Sequence, residues 1–214
     1  YEVSTFLAVL FVFFIILGMG RLFFMMILTY REKTKKNDVV YDYATLKDAP
    51  LVSIIVPAYN EEVNAVSSLN NLLKQDYPNF NIIFVDDGSK DETYKRVCEA
   101  LNGHPKVKIF TKPNGGKASA LNYGIEHTDA DYVVCIDADT KLYPNAVSLM
   151  MVHFVQPRNV NVGAVAGNVK VGNQRNMLTF WQAIEYTTSQ NFDRMAYANI
   201  NAITVVPGAI GAFK

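Results

Sequence analysis

This sequence has no excess of positive or negative charge, and it contains few cysteines and few histidines. Each of these shortages disfavours a class of function. Lys plus Arg and Asp plus Glu number 20 each in 214 residues, so the formal net charge is zero. A chain with no net positive charge is not suited to binding nucleic acid by electrostatic attraction, and we expect no nucleic-acid partner. The two cysteines, Cys98 and Cys135, lack a CxxC spacing and are predicted to be reduced core residues. The three histidines, His104, His127 and His153, have the spacing of neither a metal site nor a catalytic triad.

A long hydrophobic run opens the chain. Of the first 30 residues, 23 are apolar, and between Phe6 and Leu28 only Arg21 carries a charge. As a helix this run is roughly 35 Å long, which is enough to cross a bilayer, so residues 1–30 are predicted to form a transmembrane helix. A signal peptide is disfavoured, because the run begins beside Glu2 and exceeds the apolar core of a signal peptide.

Basic residues follow the hydrophobic run. Four of them outnumber two acidic residues: Arg31, Lys33, Lys35 and Lys36 against Glu32 and Asp38. The positive-inside tendency therefore predicts that the globular domain lies in the cytoplasm. We expect a location in the cell inner (plasma) membrane, with a single pass in this fragment and membrane lipid as a partner. Arg21 has two interpretations: it snorkels to the membrane interface, or it lines a channel with other helices.

Downstream of the basic residues, the chain alternates between strand and helix patterns. Residues 31–50 are predicted to be a cytosolic linker, and residues 51–214 one domain. Four β-branched runs each precede a segment with helical spacing: Leu51–Val56 and Glu61–Gln75, Phe80–Val85 and Asp91–Leu101, Val107–Phe110 and Lys117–His127, Tyr132–Ile136 and Asn145–Val155. A strand, a helix and a strand are predicted to follow over Val162–Val171, Met177–Met195 and Ile203–Lys214. This alternation predicts an α/β fold whose mostly parallel sheet carries helices on both faces.

Residues with useful chemistry follow the predicted strands, at the edge where parallel sheets bind ligands. Asp137 and Asp139 form an Asp-x-Asp after the fourth strand, and their hard oxygens suit Mg²⁺ or Mn²⁺ holding a phosphate-bearing ligand. Asp87 is placed to accept a hydrogen bond from a base or a sugar. An N-cap for the next helix is the alternative role of its Asp-Asp-Gly-Ser motif, and both roles are compatible.

A Gly-Gly-Lys turn at Gly115–Lys117 resembles a phosphate cradle, because it offers backbone N–H groups and an ammonium at a helix start. The GxxxxGK[ST] motif of P-loop proteins is absent from the sequence, which disfavours an ATP-dependent phosphotransferase. A nucleotidyltransferase is also disfavoured, because no basic glycine-rich loop follows the first strand.

Four motifs together carry a resemblance to a known family. They are Val56-Pro-Ala-Tyr-Asn-Glu-Glu62, Val85-Asp-Asp-Gly-Ser89 with Asp91, Asn114-Gly-Gly-Lys-Ala-Ser-Ala-Leu-Asn122, and Asp137-Ala-Asp139. In this order and spacing they resemble glycosyltransferase family 2, which has the inverting GT-A fold, over residues 52–214. The preceding helix adds a resemblance to the processive membrane synthases of cellulose, chitin, hyaluronan and, most of all, poly-β-1,6-N-acetylglucosamine.

This resemblance implies a role for each matching residue. The residues implied to bind the nucleotide sugar are Ala58, Tyr59, Glu61, Asp87, Gly116, Lys117 and Asp137. Asp139, together with Asp137, is implied to ligate Mg²⁺ or Mn²⁺. Such an ion would stabilise the charge on the UDP leaving group while an acceptor hydroxyl attacks the anomeric carbon from the opposite face.

The sequence departs from the family pattern near its end. The family's general base is an Asp in a Thr-Glu-Asp or similar motif, a Gln-x-x-Arg-Trp motif follows it, and neither occurs before Lys214. We therefore expect a domain truncated at its C-terminal end, which has no catalytic base, binds nucleotide and is inactive alone. Asp193 lies on a predicted helix face and is not expected to replace the base.

Two residues are candidates for the acceptor side of the site. Trp181 lies on a predicted helix, where its indole either stacks on a sugar ring or belongs to the core. Gly208 either permits a close approach of the backbone to the acceptor or forms the tight beginning of a strand.

The expected function is an inverting, UDP-sugar-dependent hexosyltransferase that extends a β-linked polysaccharide. We expect UDP-N-acetylglucosamine as the donor, a polysaccharide or lipid-linked acceptor, and further subunits of a synthase complex as partners. Two alternatives stay open: transfer of one sugar to a lipid phosphate carrier, and a non-catalytic nucleotide-binding module.

Overall fold

The computed structural model of the chain describes residues 2–38, 46, 48–155, 162–172, 176–200, 202–203, 206 and 208–214. The chain divides into two compact units. The sheet unit contains residues 41–167 and 205–214, and the helical unit contains residues 1–40 and 168–204. By their contacts, residues 168–204, which belong to the predicted domain 51–214, group with the N-terminal helix.

A six-stranded mixed sheet forms the centre of the sheet unit. Its strands are β1 Val52–Ala58, β2 Phe80–Asp86, β3 Val107–Thr111, β4 Tyr132–Ile136, β5 Ala164–Ala166 and β6 Ile210–Phe213. They lie in the order β3-β2-β1-β4-β6-β5. The first four strands are parallel, whereas β6 is antiparallel to both β4 and β5. The predicted α/β fold is confirmed.

Helices connect the parallel strands. They are α2 Ala65–Leu72, α3 Thr93–Leu101 and α4 Lys117–Glu126, and α5 Ala146–Val155 follows β4. Every residue of β1 is buried, which explains its largely apolar sequence. Its one polar residue, Ser53, donates to Asn81 Oδ1 at 2.7 Å. Helix α4 packs on the sheet through Ala120, which contacts a buried cluster of Ile55, Ile83 and Val85.

The last two strands are shorter than predicted. β5 occupies three residues of the predicted strand Val162–Val171. Glycines flank β5 on both sides, Gly163 and Gly167, and a glycine weakens a strand because it has no side chain to pack. The predicted strand Ile203–Lys214 is reduced to the four residues of β6, directly after a turn at Gly208, and part of the predicted span lies outside the described residues.

The helical unit consists of α1 Glu2–Asp38, α6 Met177–Tyr186, a π-helix over Thr187–Asp193, and α7 Arg194–Asn199. Helix α1 continues to Asp38, through the beginning of the predicted linker. The predicted continuous helix Met177–Met195 is interrupted by the π-helix. Thr187 and Thr188 explain the interruption, because their hydroxyls donate to the carbonyls of Ala183 and Ile184 and compete with the helical hydrogen bonds.

Helix α7 packs against the second half of α1. Met25, Leu28 and Ala196 form a buried cluster, with Phe192 and Tyr197 packed around it. Among the described residues, one helix, Val3–Lys35, is long and apolar enough to cross a membrane.

Candidate functional site

A cleft of about 480 Å³ lies where β1, β2 and β4 end. Strand β1 pairs in parallel with both β2 and β4, so the segments that follow these three strands meet at one edge of the sheet. The cleft is lined by Pro57, Ala58, Tyr59, Glu61, Asp87, Asn114, Gly116, Lys117, Ala120, Asp137, Ala138 and Asp139. The structure therefore brings together every residue that was predicted to bind nucleotide sugar or metal.

Asp87 directly follows β2, and 3% of its surface is exposed. Its Oδ1 accepts from Lys112 Nζ at 2.6 Å, and its Oδ2 accepts from Gly116 N at 2.7 Å. Gly115 N donates to both oxygens, at 3.1 and 3.2 Å. Burial raises the pKa of Asp87, but the Lys112 ammonium and the glycine N–H donors outweigh it, so the pKa lies below its ordinary value. Asp87 is therefore an ionised carboxylate that holds the Gly-Gly turn.

These contacts show that the Gly-Gly-Lys turn does not form the phosphate cradle that the sequence predicts. The N–H groups of Gly115 and Gly116, which we expected to face a phosphate, both donate to Asp87. Lys117 is the charged residue of the Gly-Gly-Lys motif, and it lines the cleft.

Lys112 is the functional residue that sequence reasoning missed. It follows β3, and the pairing of β2 with β3 places Asp86 beside Thr111. The same register brings the next residues, Asp87 and Lys112, together. The sequence contains a hint of this residue, because Lys112 directly follows a predicted strand, as Asp87 does. The ion pair between them can be predicted only when the register of β2 with β3 is known.

The turn after Asp87 packs closely on the loop that contains Asn114. Gly88 has a φ of 70°, and a Cβ at this position would lie 2.8 Å from Asn114 N, so glycine is required for two reasons. Asn114 Nδ2 donates to the Asp87 carbonyl at 2.9 Å. The contact that begins α3 comes from Asp91, whose Oδ1 accepts from Thr93 N at 3.0 Å.

Lys117, the first residue of α4, connects three elements. Its Nζ pairs with Asp137 Oδ1, after β4, and donates to the Gly208 carbonyl, before β6, at 3.0 Å. The Lys117 and Asp137 side chains remain 48% and 34% exposed. Solvent therefore screens the pair, and its two partners remain accessible to a ligand.

Asp137 and Asp139 carry the oxygen atoms that suit a metal ion. Asp139 is exposed, and its Oδ1 accepts a long hydrogen bond from Thr140 Oγ1 at 3.4 Å. Within the described part of the chain, no group of three or more His, Cys, Asp or Glu residues is arranged for metal binding. A cation here would take at most two protein carboxylates and complete its shell with water and phosphate oxygens. That donor set fits Mg²⁺ or Mn²⁺, which bind nucleotides in this way.

The loop after β1 is held by the segment that begins α3. Asn60 has a φ of 56°, and its N–H donates to Ser89 Oγ at 2.9 Å. Glu61 N donates to Thr93 Oγ1 at 2.7 Å. This turn delays α2, which begins at Ala65 and not at the predicted Glu61. Tyr59 is 42% exposed and lines the cleft, and an aromatic side chain of this kind can stack on a planar base.

The two acceptor-side candidates lie outside the lining of the cleft. Trp181 lies on α6 in the helical unit and is 63% exposed, so the alternative of a core role is wrong. Its predicted contact with the acceptor stays a prediction. Gly208 is linked to the cleft through Lys117, and an added Cβ would lie 3.2 Å from Lys117 Nζ.

Residues 53–213 match the family model for glycosyl transferase family 2. The poly-beta-1,6-N-acetyl-D-glucosamine synthase of Staphylococcus epidermidis is 32% identical over 163 residues, and that of Staphylococcus aureus (strain COL) is 30% identical over 163. Each alignment covers 76% of this chain and 39% of the relative. The chain thus spans about 39% of the length of these curated relatives.

Two solved structures are similar to the chain. The mannosyltransferase PcManGT from Pyrobaculum calidifontis, in complex with GDP-Man and Mn²⁺, has a TM-score of 0.66 and 26% identity, covering 94% of this chain and 55% of that one. S. aureus TarS 1-349 in complex with UDP-GlcNAc has a TM-score of 0.51 and 25% identity, covering 59% and 36%. The family and the GT-A fold expected from the motifs are confirmed.

Proposed function

Because the chain belongs to glycosyltransferase family 2, we propose that it is the donor-binding part of a membrane-anchored, inverting hexosyltransferase. The donor is UDP-N-acetylglucosamine. The acceptor is a growing β-linked polysaccharide at the cytosolic face of the plasma membrane, and further subunits complete the synthase. Residues 1–30 anchor the chain in the membrane, and residues 51–214 contribute the GT-A domain.

One observation carries this proposal: the cleft combines an exposed aromatic ring with a lysine ammonium and two aspartates. Tyr59 suits the flat face of a base, while Lys117, Asp137 and Asp139 suit a metal-bound diphosphate. Two similar proteins support the choice of donor. The relatives in Staphylococcus are named poly-beta-1,6-N-acetyl-D-glucosamine synthases, and TarS is described in complex with UDP-GlcNAc.

Four residues of the cleft have assigned tasks in this proposal. Asp139 and Asp137 hold the divalent cation, which when bound neutralises negative charge on the diphosphate leaving group. Lys117 adds a second positive charge beside Asp137 and fixes the turn at Gly208. Asp87 keeps the loop before α4 in place, so that Lys117 begins the helix at the rim of the cleft.

The choice of donor can be tested by calorimetric titration of the detergent-solubilised chain. UDP-N-acetylglucosamine, UDP-glucose and GDP-mannose are each added in the presence of Mn²⁺. We expect both uridine nucleotides to bind, with UDP-N-acetylglucosamine the tighter, and GDP-mannose not to bind. Equal or tighter binding of GDP-mannose would overturn the assignment of the donor, since GDP-Man is the ligand described with PcManGT.

A further inference from the structure

Helix α6 turns its apolar side away from the protein. Five large apolar residues are between 41% and 78% exposed: Met177, Leu178, Phe180, Trp181 and Ile184. The half-buried residues are Thr179, Ala183 and Tyr186, whose spacing of four and three places them on one face of the helix. A helix on a water-exposed surface has the opposite arrangement, with its apolar side packed inward. The exposed side of α6 is therefore suited to an apolar environment.

The segment that follows α6 is fastened to α1. Phe192 of the π-helix and Ala196 of α7 pack against Met25 and Leu28 of α1. These contacts lie at the end of the apolar run, directly before the charged residues that begin at Arg31. The segment is thus attached to α1 at the level where a membrane-crossing helix leaves the hydrocarbon.

We propose that α6 lies in the interfacial layer of a lipid bilayer, with its five exposed apolar side chains inserted between head groups and acyl chains. The inference rests on the proposed membrane anchoring of α1. Two observations select lipid as the occupant. The exposed apolar surfaces of α1 and α6 belong to one unit, and the segment after α6 is attached to α1 at the end of its apolar run, where a bilayer that contains α1 also reaches α6. Trp181 carries an apolar ring with an N–H group, the combination favoured at membrane interfaces.

The composition of this side of α6 argues against a sugar acceptor as the occupant. A saccharide site combines an aromatic platform with polar side chains that bond hydroxyl groups. Around Trp181 the exposed side carries Met177, Leu178 and Ile184, which offer no conventional hydrogen-bond donor or strong acceptor. Its one charged group is Glu185, four residues after Trp181, a single acceptor beside four other large apolar side chains. The polar Gln182 lies toward the other side of the helix, where it remains in water at a membrane surface.

Trp181 is the only tryptophan among the 214 residues, so the intrinsic indole fluorescence of the whole chain reports on α6. The chain is reconstituted into vesicles of phosphatidylethanolamine and phosphatidylglycerol, with or without bromine on the acyl chains. We expect brominated lipid to quench most of the emission and aqueous acrylamide to quench little. Emission that acrylamide quenches and brominated lipid does not would overturn the proposal.

A second reporter distinguishes failure of this inference from failure of the membrane anchor. Tyr30 is 69% exposed on α1, just beyond the apolar run. In the double variant Trp181→Phe, Tyr30→Trp, the new indole should be quenched by brominated lipid. Quenching at Tyr30→Trp without quenching at Trp181 would overturn the inference and leave the anchor intact. Absence of quenching at both positions would overturn both.

Matched charge substitutions test which side of α6 meets the lipid. Leu178→Glu with Ile184→Glu adds two carboxylates to the apolar side, which has only Glu185 in the wild type, and Gln182→Glu places one toward the other side. We expect the first variant to lose quenching by brominated lipid and the second to retain it. If N-acetylglucosamine oligosaccharides in the aqueous phase, and not brominated lipid, change the Trp181 emission, α6 serves the acceptor and the proposal is overturned.

Discussion

At the residue scale, the aspartates of the cleft differ in how much of their bonding capacity the chain already uses. Asp87 is buried, and both of its oxygens accept hydrogen bonds from within the chain. Asp137 is paired with the half-exposed Lys117. Asp139 is exposed and accepts one long hydrogen bond from Thr140. The buried Asp87 therefore stabilises the surrounding loops, whereas the more exposed Asp137 and Asp139 are available to a ligand.

The ion pair of Asp87 with Lys112 is expected to contribute to the free energy of unfolding. Asp87→Asn removes the charge that pairs with Lys112 in a nearly buried position. We expect the free energy of unfolding to fall by about 2–4 kcal/mol, because the Lys112 ammonium loses its partner. Urea unfolding of the solubilised chain measures the change. Asp131→Asn, at an exposed position before β4, is the matched control and should change stability little. A loss in Asp87→Asn no larger than in the control would contradict the assignment.

The same carboxylate predicts a dependence of stability on pH. The pKa of Asp87 lies below its ordinary value, so its ionised form stabilises the fold above the unfolded-state pKa of about 3.9. That contribution is lost as the pH falls through the lower pKa of the folded state. Urea midpoints measured toward acid pH should therefore decline more steeply for the wild type than for Asp87→Asn. Parallel profiles of the two proteins would argue against the ion pair.

Lys117 is expected to affect binding and not stability. Lys117→Met removes the ammonium beside Asp137, and we expect the affinity for UDP to fall roughly tenfold, about 1.4 kcal/mol. Because the pair is half exposed, the free energy of unfolding should change by less than about 1 kcal/mol. Lys108→Met, at an exposed position of β3, is the control in the same titration. Unchanged UDP affinity in Lys117→Met would remove this residue from the site.

At the scale of elements, the sequence predicts the parallel strands closely and the later elements poorly. Strand β4 has its predicted bounds, because a strand in the middle of a sheet has an apolar run with clear ends. β5 is an edge strand limited by two glycines, and the helix after Met177 is divided by threonine hydroxyls that bond its carbonyls. Local sequence patterns do not report such competing hydrogen bonds.

Helix α4 also makes a prediction at this scale. A Cβ at Gly124 would lie 2.5 Å from Cγ2 of the buried, β-branched Ile55. Gly124→Ala should therefore destabilise the chain by about 1–3 kcal/mol, although alanine favours helix by about 1 kcal/mol. Asn122→Ala, on the exposed side of the same helix, should be neutral or slightly stabilising. Urea unfolding compares the two, and equal effects would show that the close packing of α4 on β1 does not limit stability.

At the scale of the whole molecule, the sequence indicates which residues line the cleft more readily than which contacts hold them in place. Each motif is local, so its residues can be read from the sequence, and parallel strands bring the motifs to one edge. The partner of Asp87 could not be read in this way, because Lys112 depends on the register of β2 with β3. The grouping of residues 168–204 with α1 could not be read from local patterns either, because it depends on contacts between segments far apart in the chain.

The central claim is that this cleft binds a nucleoside diphosphate through a metal ion at Asp139. It is tested most directly by titrating UDP into the wild type, Asp139→Ala and Asp131→Ala, each with Mn²⁺ and with a chelator. Because Asp139 is exposed, Asp139→Ala should leave the free energy of unfolding within about 0.5 kcal/mol of the wild type. We predict that Mn²⁺ strengthens UDP binding in the wild type and in Asp131→Ala but not in Asp139→Ala. UDP affinity that is independent of Mn²⁺ in the wild type, or equally Mn²⁺-dependent in Asp139→Ala, would contradict the account.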